Sequence, residues 1–429
     1  MHYPRRAFLK KMGTLSTTAA ALPLFNPKMS PQQKEKISAW TDIKSAQLAK
    51  DEKFWDEIRQ FYRVPSDYIN LENGYYSMTA NPVMDAQDEQ NRMINLNPSI
   101  YMRERKWEDY AKVKKALADF SGCSPDEMTL CRNTTEALDT IILGLKMEAG
   151  DEAIMTNQDY GSMRAAFGQK ARREKTVNKV ISIPLHPKND QEIVDAYEKA
   201  ITPRTKVMLV THLINITGQL LPVRAIAEMA HSKGVEVISD SAHSFGHIDF
   251  KIPDLDCDYL GTSLHKWTGA PLGNGMMYIR KDKIDRVWPM FGDVSYADDD
   301  IRKFEHWGTR PHAIINSIMD ALEFQNTIGV NRKQARLRYL KQYWTEQVRD
   351  RPGIILNTPF EEERSSGIAN VGVKSLTPAE LANKLFEDYK IFTVAIDNDA
   401  VKGTRVTPHL YTKLEDLDKF VVALKELSA

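Results

Sequence analysis

The residue with the strongest claim to chemistry is a lysine. Lys266 stands in Ser263-Leu264-His265-Lys266-Trp267, directly after the β-rich run Asp258–Thr262. A charged lysine is costly among apolar and small residues at a strand end. Burial lowers its pKa, and the neutral amine is a nucleophile toward aldehydes. Another cluster, Ser239-Asp240-Ser241-Ala242-His243, follows the run Val235–Ile238. A carboxylate at such a place either caps a helix or pairs with a buried cationic heterocycle. Asp240 and Lys266 are 26 residues apart. That is enough for one strand end, a connection and the neighbouring strand end, so both side chains can face one pocket. A third cluster, Asn133-Thr134-Thr135-Glu136-Ala137, opens a helix expected over Leu138–Leu145. Asn133 with Glu136 forms a capping box, which alone would account for the hydroxyls. The free N–H groups of a helix start, with Thr134 and Thr135 beside them, would also bind a phosphate. The fourth cluster is Gly308-Thr309-Arg310, preceded by Phe304-Glu305.

An aldehyde-seeking amine, an acid for a heterocyclic nitrogen and a phosphate cradle together describe pyridoxal 5′-phosphate chemistry. Elements that place such groups side by side are visible in the pattern. Seven β-rich runs, around residues 128–130, 153–155, 180–183, 207–210, 235–238, 259–261 and 276–279, alternate with helical stretches. One such helix, Arg224–Lys233, is closed by Gly234. Near-continuous apolar strands alternating with helices argue for a mostly parallel sheet covered on both faces, with ligands beyond the strands' carboxyl ends. Beyond about residue 315 a helix is expected over Ile318–Asp350, followed by strand-like pieces at 353–356, 368–373 and 392–396. Thr377-Pro378-Ala379-Glu380 starts another helix with a capping box. The expected fold class is α/β, with a mostly parallel seven-stranded sheet in a large domain and a smaller α+β C-terminal domain. The expected divisions are residues 1–21, 22–70 (helices packing on the small domain), 71–315 (the large cofactor-binding domain) and 316–429.

The stretches "SDSAHSFGHIDF", "GTSLHKWTGAPLGNGMMYIRK" and "FEHWGTR", in that order and spacing, resemble the class V aminotransferase family of fold type I pyridoxal-phosphate enzymes, in its isopenicillin N epimerase-like branch. The resemblance spans roughly residues 70–412. It implies that Lys266 forms the Schiff base and shuttles the Cα proton, and that Asp240 pairs with the pyridinium nitrogen. His243 and Asn215 would lie near the cofactor's phenolic oxygen. Thr134, Thr135, Ser263 and His265 would surround the phosphate, and Tyr160 would stack on the ring, its alternative being core packing. Thr309 would reach the phosphate in the partner subunit, which implies a homodimer with the active site at the interface. Arg405 matches the arginine that holds a substrate α-carboxylate, its alternative being a structural ion pair. Arg310, Arg103 and Arg105 are further candidates for substrate contact. Tyr411 is followed by Thr412 where the family usually has Asn.

The remaining features narrow the field. Lys+Arg and Asp+Glu both number 58, so no basic excess favours nucleic acid. No uncharged apolar run approaches 18 residues, so the body of the chain is not expected to span a membrane. Hydrophobic residues at 42% and charged residues at 27% fit a globular chain of two or three domains. Cys123, Cys131 and Cys257 make neither a disulfide framework nor a zinc site. His243 and His247 stand four apart, but Phe245 and Gly246 between them argue against a helical metal pair. No G-x-G-x-x-G follows a strand, which removes a nicotinamide oxidoreductase. No cysteine follows Cys257, which argues against a persulfide-forming desulfurase of this fold. Arg5-Arg6-Ala7-Phe8-Leu9-Lys10, an uncharged stretch and Ala19-Ala20-Ala21 read as a twin-arginine signal peptide, hence export by that machinery to the periplasm. The expected function is an aminotransferase acting on an amino acid or amino-acid-containing peptide. An epimerase or β-lyase of the same family, or a binding protein without turnover, is the alternative.

Overall fold

The computed structural model describes residues 29–38, 40 and 43–429, and the expected signal peptide lies outside them. Its centre is a seven-stranded sheet made of β2 (Met128–Cys131), β3 (Glu152–Thr156), β4 (Val177–Ile181), β5 (Thr205–Thr211), β6 (Glu236–Asp240), β7 (Tyr259–Ser263) and β8 (Gly275–Ile279). The spatial order is β2-β8-β7-β6-β5-β3-β4. Strands β3 to β7 run parallel, and β8 is antiparallel to both β7 and β2. Apolar side chains are buried on both faces, Leu209 and Ile238 in one cluster, Met208 and Val237 in the other. Both faces being covered explains why the strands read as unbroken apolar runs rather than as alternations. The exception is β4 at the edge, where Val177 and Val180 are exposed.

The order places a topological switch at β3: the chain leaves it for β4 on one side and returns to β5 on the other. Register then aligns the strand ends. Thr211 is level with Asp240, and Asp240 with Gly261, two residues before Ser263.

A second, antiparallel sheet has the order β12-β13-β10-β9, built from β9 (Ile354–Leu356), β10 (Ala369–Val373), β12 (Val394–Asp397) and β13 (Lys402–Val406). Its core joins Leu340, Trp344, Val371, Leu385, Val406 and Phe420. The helix expected as one piece after residue 318 is two, Ile318–Ile328 and Val330–Thr345. The break is Gly329 at φ 91°, a backbone conformation that a continuous helix cannot contain. The described residues of 31–59 carry three helices, of which Ser45–Leu48 packs on Val330–Thr345. The buried Arg336 donates to both oxygens of Glu52 and to the Ala49 carbonyl there. Among the described residues no helix is long and apolar enough to cross a membrane.

The stretch after β1 (Ile69–Asn70) links the two sheets. Strand β1 pairs in parallel with β11 (Ile391–Phe392), and Glu72 bridges Thr407. Thr407 N–H donates to the Leu71 carbonyl at 2.7 Å, and Asn73 N–H donates to Thr407 Oγ1 at 2.7 Å. These bonds hold residues 69–73 to the second sheet's side, and Ser77 O–H, donating to the Lys266 carbonyl at 2.6 Å, ties the stretch to the carboxyl end of the large sheet.

Candidate active site

A cavity of about 310 Å³ opens at those carboxyl ends. Lys266, Asp240 and His243 line it, as do Thr134, Thr135 and Ser263. So do Asn215, His265 and Tyr160. Nine sequence-predicted residues thus converge on one space. Tyr160 and Asn215 arrive there because they follow β3, where the switch lies, and its neighbour β5.

Lys266 is buried, and burial pushes its ammonium down to about 8, against the pull of the Asp240 charge. Its Nζ lies 3.2 Å from His243 Nε2. On the other side of that imidazole, Trp267 Nε1–H donates to His243 Nδ1 at 3.3 Å. A ring nitrogen that accepts carries no proton, so the network assigns the ring proton to Nε2. Nε2–H then points at Lys266, whose nitrogen accepts it in the amine form. Burial holds His243 well below its usual pKa, which keeps the imidazole neutral. Trp267 is itself fixed. Its carbonyl accepts from the buried Lys333 ammonium, and its ring centroid lies 4.1 Å from that of His247.

Asp240 is 3% exposed and accepts the Ala242 N–H on Oδ1 at 3.0 Å. Burial raises its pKa, opposed by that hydrogen bond and by Lys266. A buried acid pressed toward neutrality favours a cationic partner. Behind it, Thr211 Oγ1–H and Thr156 N–H bind Asp159, which burial pushes up to about 7.

The helix Thr134–Gly144 starts four residues earlier than its apolar pattern suggests, because Asn133 caps it by accepting Glu136 N–H at 2.9 Å. Thr134 N–H donates to Ser263 Oγ at 2.9 Å, and the two hydroxyls are 2.7 Å apart. A helix start and paired hydroxyls make a ready anion cradle. Close packing sets its position: a Cβ on Gly275 of β8 would lie 2.7 Å from Asn133 Cα and N.

Arg405 is not brought to the cavity. It is fully buried, with Nε and Nη2 donating to Glu72 at 3.0 and 2.5 Å and Nη1 donating to the Asn215 carbonyl at 3.3 Å. The chain's own carboxylate fills the fork expected to take a substrate carboxylate. Arg310 also points elsewhere, donating to the Leu130 and Cys131 carbonyls. Arg103 and Arg105 are exposed and outside the cavity lining, and Thr309 is exposed on the surface.

Sequence reasoning passes over Tyr75, Tyr76, Glu72 and Trp267. Tyr75 lines the cavity, with Lys266 Nζ 5.4 Å and the Arg405 guanidinium 4.0 Å from its ring centroid. The one signal available was an aromatic pair after Asn73-Gly74, directly following a short strand.

The donor set fits pyridoxal 5′-phosphate: an amine whose ammonium burial weakens, a buried acid and an anion cradle share a single cavity. The sequence model of the Aminotransferase class-V family matches residues 69–420. An isopenicillin N epimerase of Streptomyces clavuligerus is 27% identical over 334 residues, 74% of this chain and 84% of that protein. A probable cysteine desulfurase of Pyrococcus abyssi is 24% identical, covering 87% of this chain and 97% of its own. A solved cysteine desulfurase from Thermococcus onnurineus superposes with a TM-score of 0.75 at 22% identity, over 87% of this chain and 98% of that one, a likeness of fold.

Proposed function

The chain belongs to the aminotransferase class V family of fold type I pyridoxal 5′-phosphate enzymes, and from that premise we propose that it is an aminotransferase acting on an amino acid or amino-acid-containing peptide. The observation that carries the reading is the buried Lys266 amine, set between His243 and Asp240 in the cavity that also holds the anion cradle.

Lys266 would hold the cofactor covalently, and Asp240 would pair with its ring nitrogen. Thr134, Ser263 and the helix start would hold the phosphate, and Tyr160 would cover one ring face. When bound, the cofactor draws electrons from the carbon that bears the substrate amino group, so that carbon releases its proton more readily. The protein's part is orientation and proton handling. Once free of the cofactor, Lys266 Nζ is a base that takes a proton from one carbon and returns it to another. A positioned group of this kind contributes roughly 10²–10⁴ in rate. His243, with its proton on Nε2, is a donor toward whatever oxygen or nitrogen stands before Lys266. The indole of Trp267 keeps it so.

The 27% identity to an isopenicillin N epimerase supports a second reading, return of the proton to the same carbon with inversion. A persulfide route has no support, since Cys123, Cys131 and Cys257 are all outside the cavity lining. Purified protein should show a visible cofactor band that borohydride shifts and Lys266→Ala abolishes. A protein that stays colourless after reconstitution would overturn the reading. Keto-acid release separates transamination from inversion.

The proposal includes a homodimer in which Thr309 serves the partner's phosphate cradle. Exposed Met290 and Phe291 border a depression with Trp307, two residues from Thr309, and apolar surface of this kind favours association. It also includes export: Arg5-Arg6 and the uncharged stretch after them support a twin-arginine route to the periplasm, tested by fractionating cells with and without Arg5→Lys and Arg6→Lys.

A further inference from the structure

Among the described residues, the cavity lining of one chain offers no free cation for a substrate carboxylate. Lys266 is taken by the cofactor in the reading above, on which this inference rests. The neighbouring imidazoles, His243 and His265, are held neutral by burial. The nearest guanidinium, Arg405, has both prongs of its fork on Glu72. Glu72 is not a loose partner. It sits in the bridge to Thr407, it is 7% exposed, and its Oε1 also accepts Tyr75 N–H at 3.2 Å. An incoming carboxylate would have to leave Glu72 charged and buried without its arginine, and separating a buried pair is strongly unfavourable.

A neutral carbonyl has no such requirement. The Asn215 side-chain amide, which lines the cavity and lies 3.4 Å from Tyr75 OH, can donate to one.

We propose that Glu72 is a specificity-determining residue: by filling Arg405 it directs the site to amines whose neighbouring carboxyl is amide-linked, as in a peptide, rather than to free α-amino acids.

The test titrates the bound cofactor's absorbance in the holoenzyme with alanine and alaninamide, then with glutamate and its α-amide. The wild type should respond to each amide at concentrations at least about tenfold below those of the free acid. Glu72→Gln keeps the shape and gives up the charge. It should lower the half-saturating concentration of the free acids by about tenfold or more and leave the amides within about twofold. A wild type that prefers free acids overturns the proposal by itself, even if Glu72→Gln does not accumulate. So does a Glu72→Gln protein with an unchanged ratio. Silence toward every amine, acid or amide, overturns the amine-acting reading and this inference with it.

Discussion

Lys266 titrates against its surroundings, and the sign of that effect is open to measurement. Its ammonium is lowered to about 8, so the free amine grows as pH rises toward that value and is complete above it. Protein stripped of cofactor should therefore reload about tenfold faster per pH unit below 8 and level off above it, followed by absorbance in a stopped-flow series. Asp240 pulls the lysine upward, so Asp240→Asn should move the plateau to lower pH. Trp267→Phe removes the donor to His243 Nδ1 and lets the ring proton leave Nε2. The expected outcome is an altered ¹⁵N pattern for His243 and a shift of about one unit in the pH midpoint of the cofactor band, together with a lowered Tm from the space that the fully buried indole leaves. At this scale the sequence was readable wherever chemistry coincides with a strand end or helix start. Lys266, Asp240, His243, Ser263 and Thr134 all stand at such places. Glu72 and Tyr75 do not. Glu72 meets Arg405 across 333 residues and Tyr75 meets Asn215 across 140, so local pattern holds no trace of either contact.

Elements position these groups by touching closely. Gly275 of β8 lies against the backbone of Asn133, which leaves no room for a methyl group. Gly275→Ala should push the start of the helix Thr134–Gly144 away from Ser263. Overpacking of this kind costs about 1–3 kcal/mol, read as a lowered Tm. The cofactor's dissociation constant should rise about tenfold, measured by equilibrium dialysis. Gly161→Ala, with nothing within 4 Å of its Cβ position, is the neutral control. Strand reading succeeded for the covered strands and slipped at β4, expected over residues 180–183 and found at Val177–Ile181. An edge strand with exposed valines carries no continuous apolar run to mark its bounds. Strand β13 escaped notice for a related reason. Lys402, Gly403, Thr404 and Arg405 look like a loop, yet β10 and β12 pair with them on both sides.

For the whole molecule, the question is how many chains make one site. If Thr309 serves the partner, Lys266→Ala and Thr309→Glu should complement each other. Each variant alone should be inactive. Dimers re-formed from an equal mixture should recover about a quarter of wild-type turnover, because half are mixed and each mixed dimer has one intact site. Failure of any recovery would place Thr309 outside the neighbour's site. The front wall of the cavity has its own consequence. Residues 71–78 are tied to Thr407 and Tyr411: Tyr411 O–H donates to Asn73 Oδ1 at 2.5 Å, and Met78 N–H donates to the tyrosine oxygen at 3.2 Å. Chain made early thus waits for chain made more than three hundred residues later. Until residues 407–411 have folded back onto it, the front wall lacks its ties, so full enclosure of vitamin B6 is a late event in folding.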